Sequence, residues 1–97
     1  MTQRVTRKQL DAAVEMLNRM TDSPLEPYRK EGDKWVANID NFHISCAYGG
    51  FSLHRMCNEG GGVRDIFYSG HVPARELFNL IHAMRRGIEL AREEVAA

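Results

Sequence analysis

From Lys34 to Cys57 the apolar side chains recur with a period of two, and the recurrence breaks only at Asp40-Asn41 and Gly49-Gly50. Such a period places alternate side chains on opposite faces of an extended chain. Both breaks suit two-residue hairpin turns, whose central positions require positive φ. Setting Tyr48 opposite Phe51 across the second turn puts Cys46 against Leu53, Ile44 against Arg55 and Phe42 against Cys57. Setting Ile39 opposite Phe42 across the first puts Ala37 against Ile44 and Trp35 against Cys46. Opposed residues share a face. One face therefore gathers Trp35, Ala37, Ile39, Phe42, Ile44, Cys46, Tyr48, Phe51, Leu53 and Cys57, with Arg55 the polar exception. The other face receives Val36, His43, Ser45, Ala47, His54 and Met56, with Ser45 opposite His54 and His43 opposite Met56. Two turns placed independently agree on one apolar face, the consistency expected of a foldable sequence.

Asn58 to Val63 reads as a further turn, and Val63 to Tyr68 as a fourth strand. Ile66 and Tyr68 fall on its apolar face, Asp65 and Phe67 on the other. The register leaves Cys46 and Cys57 roughly 13 Å apart, so no disulfide is expected.

Helical periods flank the strands. Thr6 and Gln9 have the spacing of a capping box, and Leu10, Ala13, Val14, Leu17 and Met20 behind them form one helical stripe. Ser23-Pro24 ends that helix, and Pro24 and Pro27 read as a stiff connector reaching Gly32. Ser69-Gly70-His71 reads as a loop, and Pro73 as the opening of a last helix. Leu77, Ile81, Met84, Ile88, Ala91 and Val95 then alternate steps of four and three, a heptad seam that suits either the chain's own sheet or a partner helix. The predicted fold is α+β and a single domain over residues 1–97: an N-terminal helix, a four-stranded antiparallel β-meander and a long C-terminal helix, with both helices on one sheet face.

Thirteen basic and thirteen acidic residues leave no net charge. A dedicated nucleic-acid binder carries a basic excess, so nucleic acid is not the expected partner, although Arg4, Arg7 and Lys8 cluster near the start. No apolar run reaches the roughly 18 residues of a membrane span. The first residues carry no apolar leader, so the expected location is the cytoplasm with both cysteines reduced. Two cysteines at this spacing make no zinc motif, and His43, His54 and Asp65 lack metal-ligand spacing, so neither metal nor cofactor is expected.

Asn58-Glu59-Gly60-Gly61-Gly62-Val63-Arg64 is the strongest local irregularity. Consecutive glycines expose backbone N–H groups and allow close approach of a ligand. Arg55 and Arg64 flank the turn and suit phosphate or carboxylate. Tyr48 or Phe67 would stack a base. The P-loop and dinucleotide-binding patterns are absent, and a plain hairpin turn also accounts for the glycines. His43, Ser45, His54, Met56 and Asp65 on the second sheet face make a mixed surface suited to binding, to self-association or to solvent. Ser45, His54 and Asp65 have the residue types of a catalytic triad but no nucleophile elbow or oxyanion motif, so enzymatic activity is not expected.

Asn38-Ile39, Phe42-His43-Ile44, Ala47-Tyr48-Gly49-Gly50-Phe51, Leu53-His54-Arg55 and Asn58-Glu59-Gly60-Gly61-Gly62-Val63 resemble a block found in small phage- and prophage-encoded proteins of uncharacterised function. The resemblance runs from about residue 14 to 90. It implies a phage-type protein in a bacterial cytoplasm that sequesters or blocks a host component, such as a nucleotide-like defence signal. A nucleotide-like anion would then sit among Tyr48, His54, Arg55, Asn58, Glu59, Gly60, Gly61, Gly62, Arg64 and Phe67. The alternative is a protein-interaction module that inhibits a host protein through the open sheet face or the last helix. Small size and the long seam point to a homodimer or larger homo-oligomer.

Overall fold

The computed structural model describes residues 4–96. It is α+β: helix α1 (Arg7–Met20), strands β1 (Tyr28–Glu31), β2 (Lys34–Ala37), β3 (Phe42–Ala47), β4 (Gly50–Met56) and β5 (Val63–Asp65), and helix α2 (Ala74–Ala96). The capping box closes as expected. Thr6 Oγ1 accepts from the Gln9 amide at 3.2 Å, and Gln9 Oε1 accepts from the Thr6 amide at 2.8 Å. Leu10, Ala13, Val14 and Leu17 meet Phe42, Leu53, Leu77 and Ile81 in one core. Both helices therefore cover the same sheet face, α1 over β3 and α2 over β4.

The four-stranded meander is corrected to two antiparallel sheets, β1–β2 and β3–β4–β5. The chain read as a stiff connector contains β1, which pairs Tyr28 with Ala37 and Glu31 with Lys34 across a two-residue turn at Gly32-Asp33. Gly32 supplies the positive φ of 60° that this turn needs. A neighbour two residues away costs less loop-closure entropy than a distant one, and β2 takes it. Asp40-Asn41 is consequently not a hairpin turn. Asp40 donates its amide to the Met56 carbonyl at 3.0 Å, and Asn41 accepts from the Met56 amide at 2.9 Å, so these residues prolong the β3–β4 ladder. Trp35, expected in the core, is 67% exposed with the Lys30 ammonium over its ring. Ile39, Cys46 and Cys57 are also exposed, and both cysteines are free thiols.

The β3–β4 hairpin turns one residue earlier than expected. Tyr48 and Gly49 are its centre, with φ of 52° and 74°, and Ala47 pairs with Gly50. Each β3 residue thus meets a β4 residue two positions before the expected one: Ile44 faces Leu53 and Phe42 faces Arg55. Because side chains alternate with period two, a slip of two keeps the paired β3 and β4 side chains on their expected faces, but Tyr48, expected on the core face opposite Phe51, becomes a turn residue whose side chain is fully exposed. The misplaced glycine has a packing reason. A Cβ on Gly50 would lie 3.0 Å from the His71 carbonyl carbon and 3.1 Å from the Val72 amide nitrogen. There Val72 exchanges two backbone hydrogen bonds with Phe51 and prolongs the sheet edge.

The fourth strand is shorter than expected. β5 ends at Asp65, Phe67 packs against the core on the helix side rather than the open face, and Tyr68 is 87% exposed. Asp65 causes the bend. Its carboxylate accepts from the amides of Phe67 at 3.3 Å and Gly70 at 2.9 Å, turning the chain back toward β4 in the manner of an Asx turn.

Candidate functional site

The two-residue slip decides what the open sheet face presents. His43 now pairs with His54 and Ser45 with Ser52, and His54 pairs onward with Asp65 on β5. The Phe51–Val72 bridge brings in His71, which the sequence leaves in a loop; its Nε2 lies 3.1 Å from Ser45 Oγ. Four rings then form a continuous row along the face. Tyr48 lies 6.1 Å from His71, His71 lies 6.2 Å from His54, and His54 lies 6.0 Å from His43, centroid to centroid. The interplanar angles are 71°, 62° and 79°, so each contact is edge-to-face, a favoured geometry for aromatic pairs.

The row is anchored at its His43 end. Asn41 is buried, with its Nδ2 donating to the Pro24 carbonyl at 2.8 Å, and its Oδ1 lies 3.2 Å from His43 Nδ1. At the other end Tyr48 is fully exposed and held at positive φ, a backbone state uncommon for a bulky residue and concentrated at functional sites. Burial pushes the His43 imidazole below its ordinary value, and the neighbouring His54 charge adds to the shift. His54 is lowered by burial too, against the opposing attraction of Asp65 and with His71 pushing the same way. Both rings are therefore neutral at pH 7, each offering one donor and one acceptor. Beneath them the Ser52 hydroxyl is buried with no hydrogen-bond partner.

The residue types of a triad do not assemble. Ser45 engages His71 rather than His54, and Asp65 holds backbone amides. Among the described residues no group of three or more His, Cys, Asp or Glu side chains is arranged to hold a metal ion.

The glycine turn is filled by its own chain. Cys57 donates to the Gly62 carbonyl at 2.7 Å, Gly61 to the Asn58 carbonyl at 3.2 Å, and Gly62 to Asn58 Oδ1 at 3.0 Å. Gly61 takes φ of 93°, and a Cβ on Gly62 would run into the Asn58 side chain. Gly61 and Gly62 thus have a local structural reason, and a Cβ on Gly60 would also sit tightly, 3.3 Å from Asn58 Oδ1. Glu59 pairs with Arg29 at 3.3 Å, and its carbonyl accepts from the Ala37 amide, so the turn ties the two sheets together. Arg55 points away from the turn. It stacks over Phe42 at 4.3 Å and donates to the Asp40 carbonyl at 3.0 Å and to Ser23 Oγ at 3.4 Å. Arg64 opposes Arg55 across β4–β5 and lines a small cleft of about 200 Å³ with Tyr68 and Met84. Of the residues singled out from sequence, Tyr48 and His54 come together in the ring row. Asn58, Glu59, Gly60, Gly61 and Gly62 form the separate turn, and Phe67 belongs to the core.

His71 is the residue that sequence reasoning missed. Its only signal was the proline two residues on, which marks a helix start but says nothing about where the preceding loop lies. No family model, curated protein or solved structure matches the chain. Among the described residues no helix is long and apolar enough to cross a membrane.

Proposed function

We propose that this chain is a non-enzymatic binding protein that acts by stoichiometric occupation of a host component, the phage-type role its resemblance implies, and that it engages a protein target through the Tyr48–His71–His54–His43 face. The row of four rings is the observation that carries the reading. Interfaces between proteins are enriched in aromatic residues with polar tips and depleted of charge at their centre. Imidazole rings in line with an exposed tyrosine have that character. The division of aromatics supports it further: Tyr28, Trp35, Tyr48 and Tyr68 are all exposed, whereas no phenylalanine is. Capture of a nucleotide-like anion at the glycine turn has less support, because the Gly61 and Gly62 amides are already bonded within the turn and Arg55 is turned away from it.

The test compares wild-type protein with His54→Glu and Tyr48→Ala in capture experiments from bacterial host extract. The reading expects one host protein retained at equal stoichiometry by the wild type and lost with both variants, while their melting temperatures stay close to that of the wild type. Retention of the same proteins by all three chains contradicts it.

We also infer self-association through the C-terminal half of α2. Leu77 and Ile81, early in the seam, are fully buried in the chain's own core, but Ala91 is exposed and Val95 is 88% exposed. Ile88, Ala91, Arg92 and Val95 line an open apolar groove of about 380 Å³. In an antiparallel helix pair the seam complements itself, Ile88 meeting Ala91 and Met84 meeting Val95 of the second copy.

A further inference from the structure

A basic concavity lies at the other end of the molecule from the glycine turn. A cleft of about 730 Å³ opens between the start of α1 and the start of α2, beside the Tyr48-Gly49 turn. Arg4, Arg7 and Arg75 line it, and among the described residues no acidic side chain does. In a chain with thirteen charges of each sign, that is a marked local imbalance. The remaining wall is largely apolar, from Val5, Phe51, Pro73 and Ala74.

The placement of the arginines runs against helix stability. Helix N-termini carry partial positive charge and favour acidic side chains. The first turn of α1 holds Arg7 and Lys8 and no acid, and the first turn of α2 holds Arg75 beside Glu76. Pro73, whose carbonyl accepts the first helical bond of α2 at 3.1 Å, has no side-chain oxygen with which to cap that helix as Thr6 caps α1. Arg7 is fixed where it stands: Nε donates to Asp11 at 2.9 Å, and Nη1 lies 2.7 Å from Cys46 Sγ. An anion between the two helix starts would meet guanidinium groups suited to bidentate contact with phosphate. Tyr48, fully exposed beside the cleft's Gly49, offers a ring on which a planar group can stack.

We propose that this cleft binds a nucleotide-like phosphate ester, the phosphate held by Arg4, Arg7 and Arg75 and the base laid against Tyr48. The inference shares Tyr48 with the ring-lined face but otherwise rests on the three arginines and a different ligand, so the Arg4→Gln/Arg75→Gln variant separates the two. Calorimetric titration with AMP, adenosine and inorganic phosphate tests it on the wild type, the double variant Arg4→Gln/Arg75→Gln, Tyr48→Ala and Arg64→Gln. Binding of AMP by the wild type is expected. It should weaken by about tenfold or more in the double variant, as loss of charge-assisted contacts implies, while Arg64→Gln leaves it unchanged. Adenosine and phosphate alone should each bind more weakly than AMP, and Tyr48→Ala should reduce the affinity for AMP but not for phosphate. The proposal is overturned by no AMP binding at millimolar concentration, by equal binding in the double variant, or by a loss confined to Arg64→Gln. Phosphate binding as tightly as AMP would overturn the assignment of a nucleotide-like ligand.

Discussion

Single residues carry much of the register. Asn18, buried in α1, donates its Nδ2 to the Phe42 carbonyl at 2.9 Å and accepts the Phe42 amide at 2.8 Å. Its amide thus stands in for a neighbouring strand at the edge of β3. Removing it leaves two buried backbone groups unpaired, so Asn18→Ala should destabilise the chain by about 2–4 kcal/mol in urea unfolding. Two glycines give opposite expectations. Gly50→Ala presses a methyl into the His71–Val72 backbone and should destabilise by about 1–3 kcal/mol. Gly87 lies inside α2 with open space where a Cβ would stand, so Gly87→Ala should stabilise by about 0.5–1 kcal/mol. The imidazoles of His43 and His54 both lie below the ordinary value of 6.5. As pH falls, the unfolded chain therefore takes up protons first. The contribution of these rings is fully present above about pH 6.5 and is lost as pH drops through that value toward the lower folded-state values. Thermal melts from pH 8 to pH 5 should show this decline, and His43→Gln with His54→Gln should flatten it.

At the level of elements, what could be read from the sequence depended on how local the signal was. The α1 stripe, its capping box and the α2 seam rest on neighbours within one or two turns, and all form. The sheet faces were legible because a two-residue slip preserves side-chain parity, so Phe42, Ile44, Phe51 and Leu53 reach the helix side despite the wrong partners. Strand pairing was not legible, because alternation states which face a residue takes but not which strand lies beside it. Gly32-Asp33 was the signal for the β1–β2 hairpin, and the flanking prolines concealed it. The same limit hid the ring row: His43 meets His54 only in the observed register, and His71 arrives through a loop that Asp65 folds back. The Gly61 and Gly62 conformations follow from Asn58, a local cause that glycine count alone does not reveal.

The whole molecule is flat and open. Its extents are 47 × 41 × 22 Å, and its radius of gyration is 14.5 Å, against about 12.5 Å for a compact chain of this length. One sheet face is covered by helices, while the far face carries the ring row, and α2 carries its apolar stripe past the core. Such a shape suits a chain completed by other molecules. Light scattering at micromolar concentration should give a dimer mass, shifted toward monomer by Val95→Glu; a monomeric wild type contradicts the helix-pair inference. Recognition of a host protein through the ring row is measured by quantitative capture from host extract with the wild type and His54→Glu. One host protein should be held at a one-to-one ratio by the wild type and released by an equally stable His54→Glu chain. Identical capture by the two chains would contradict it.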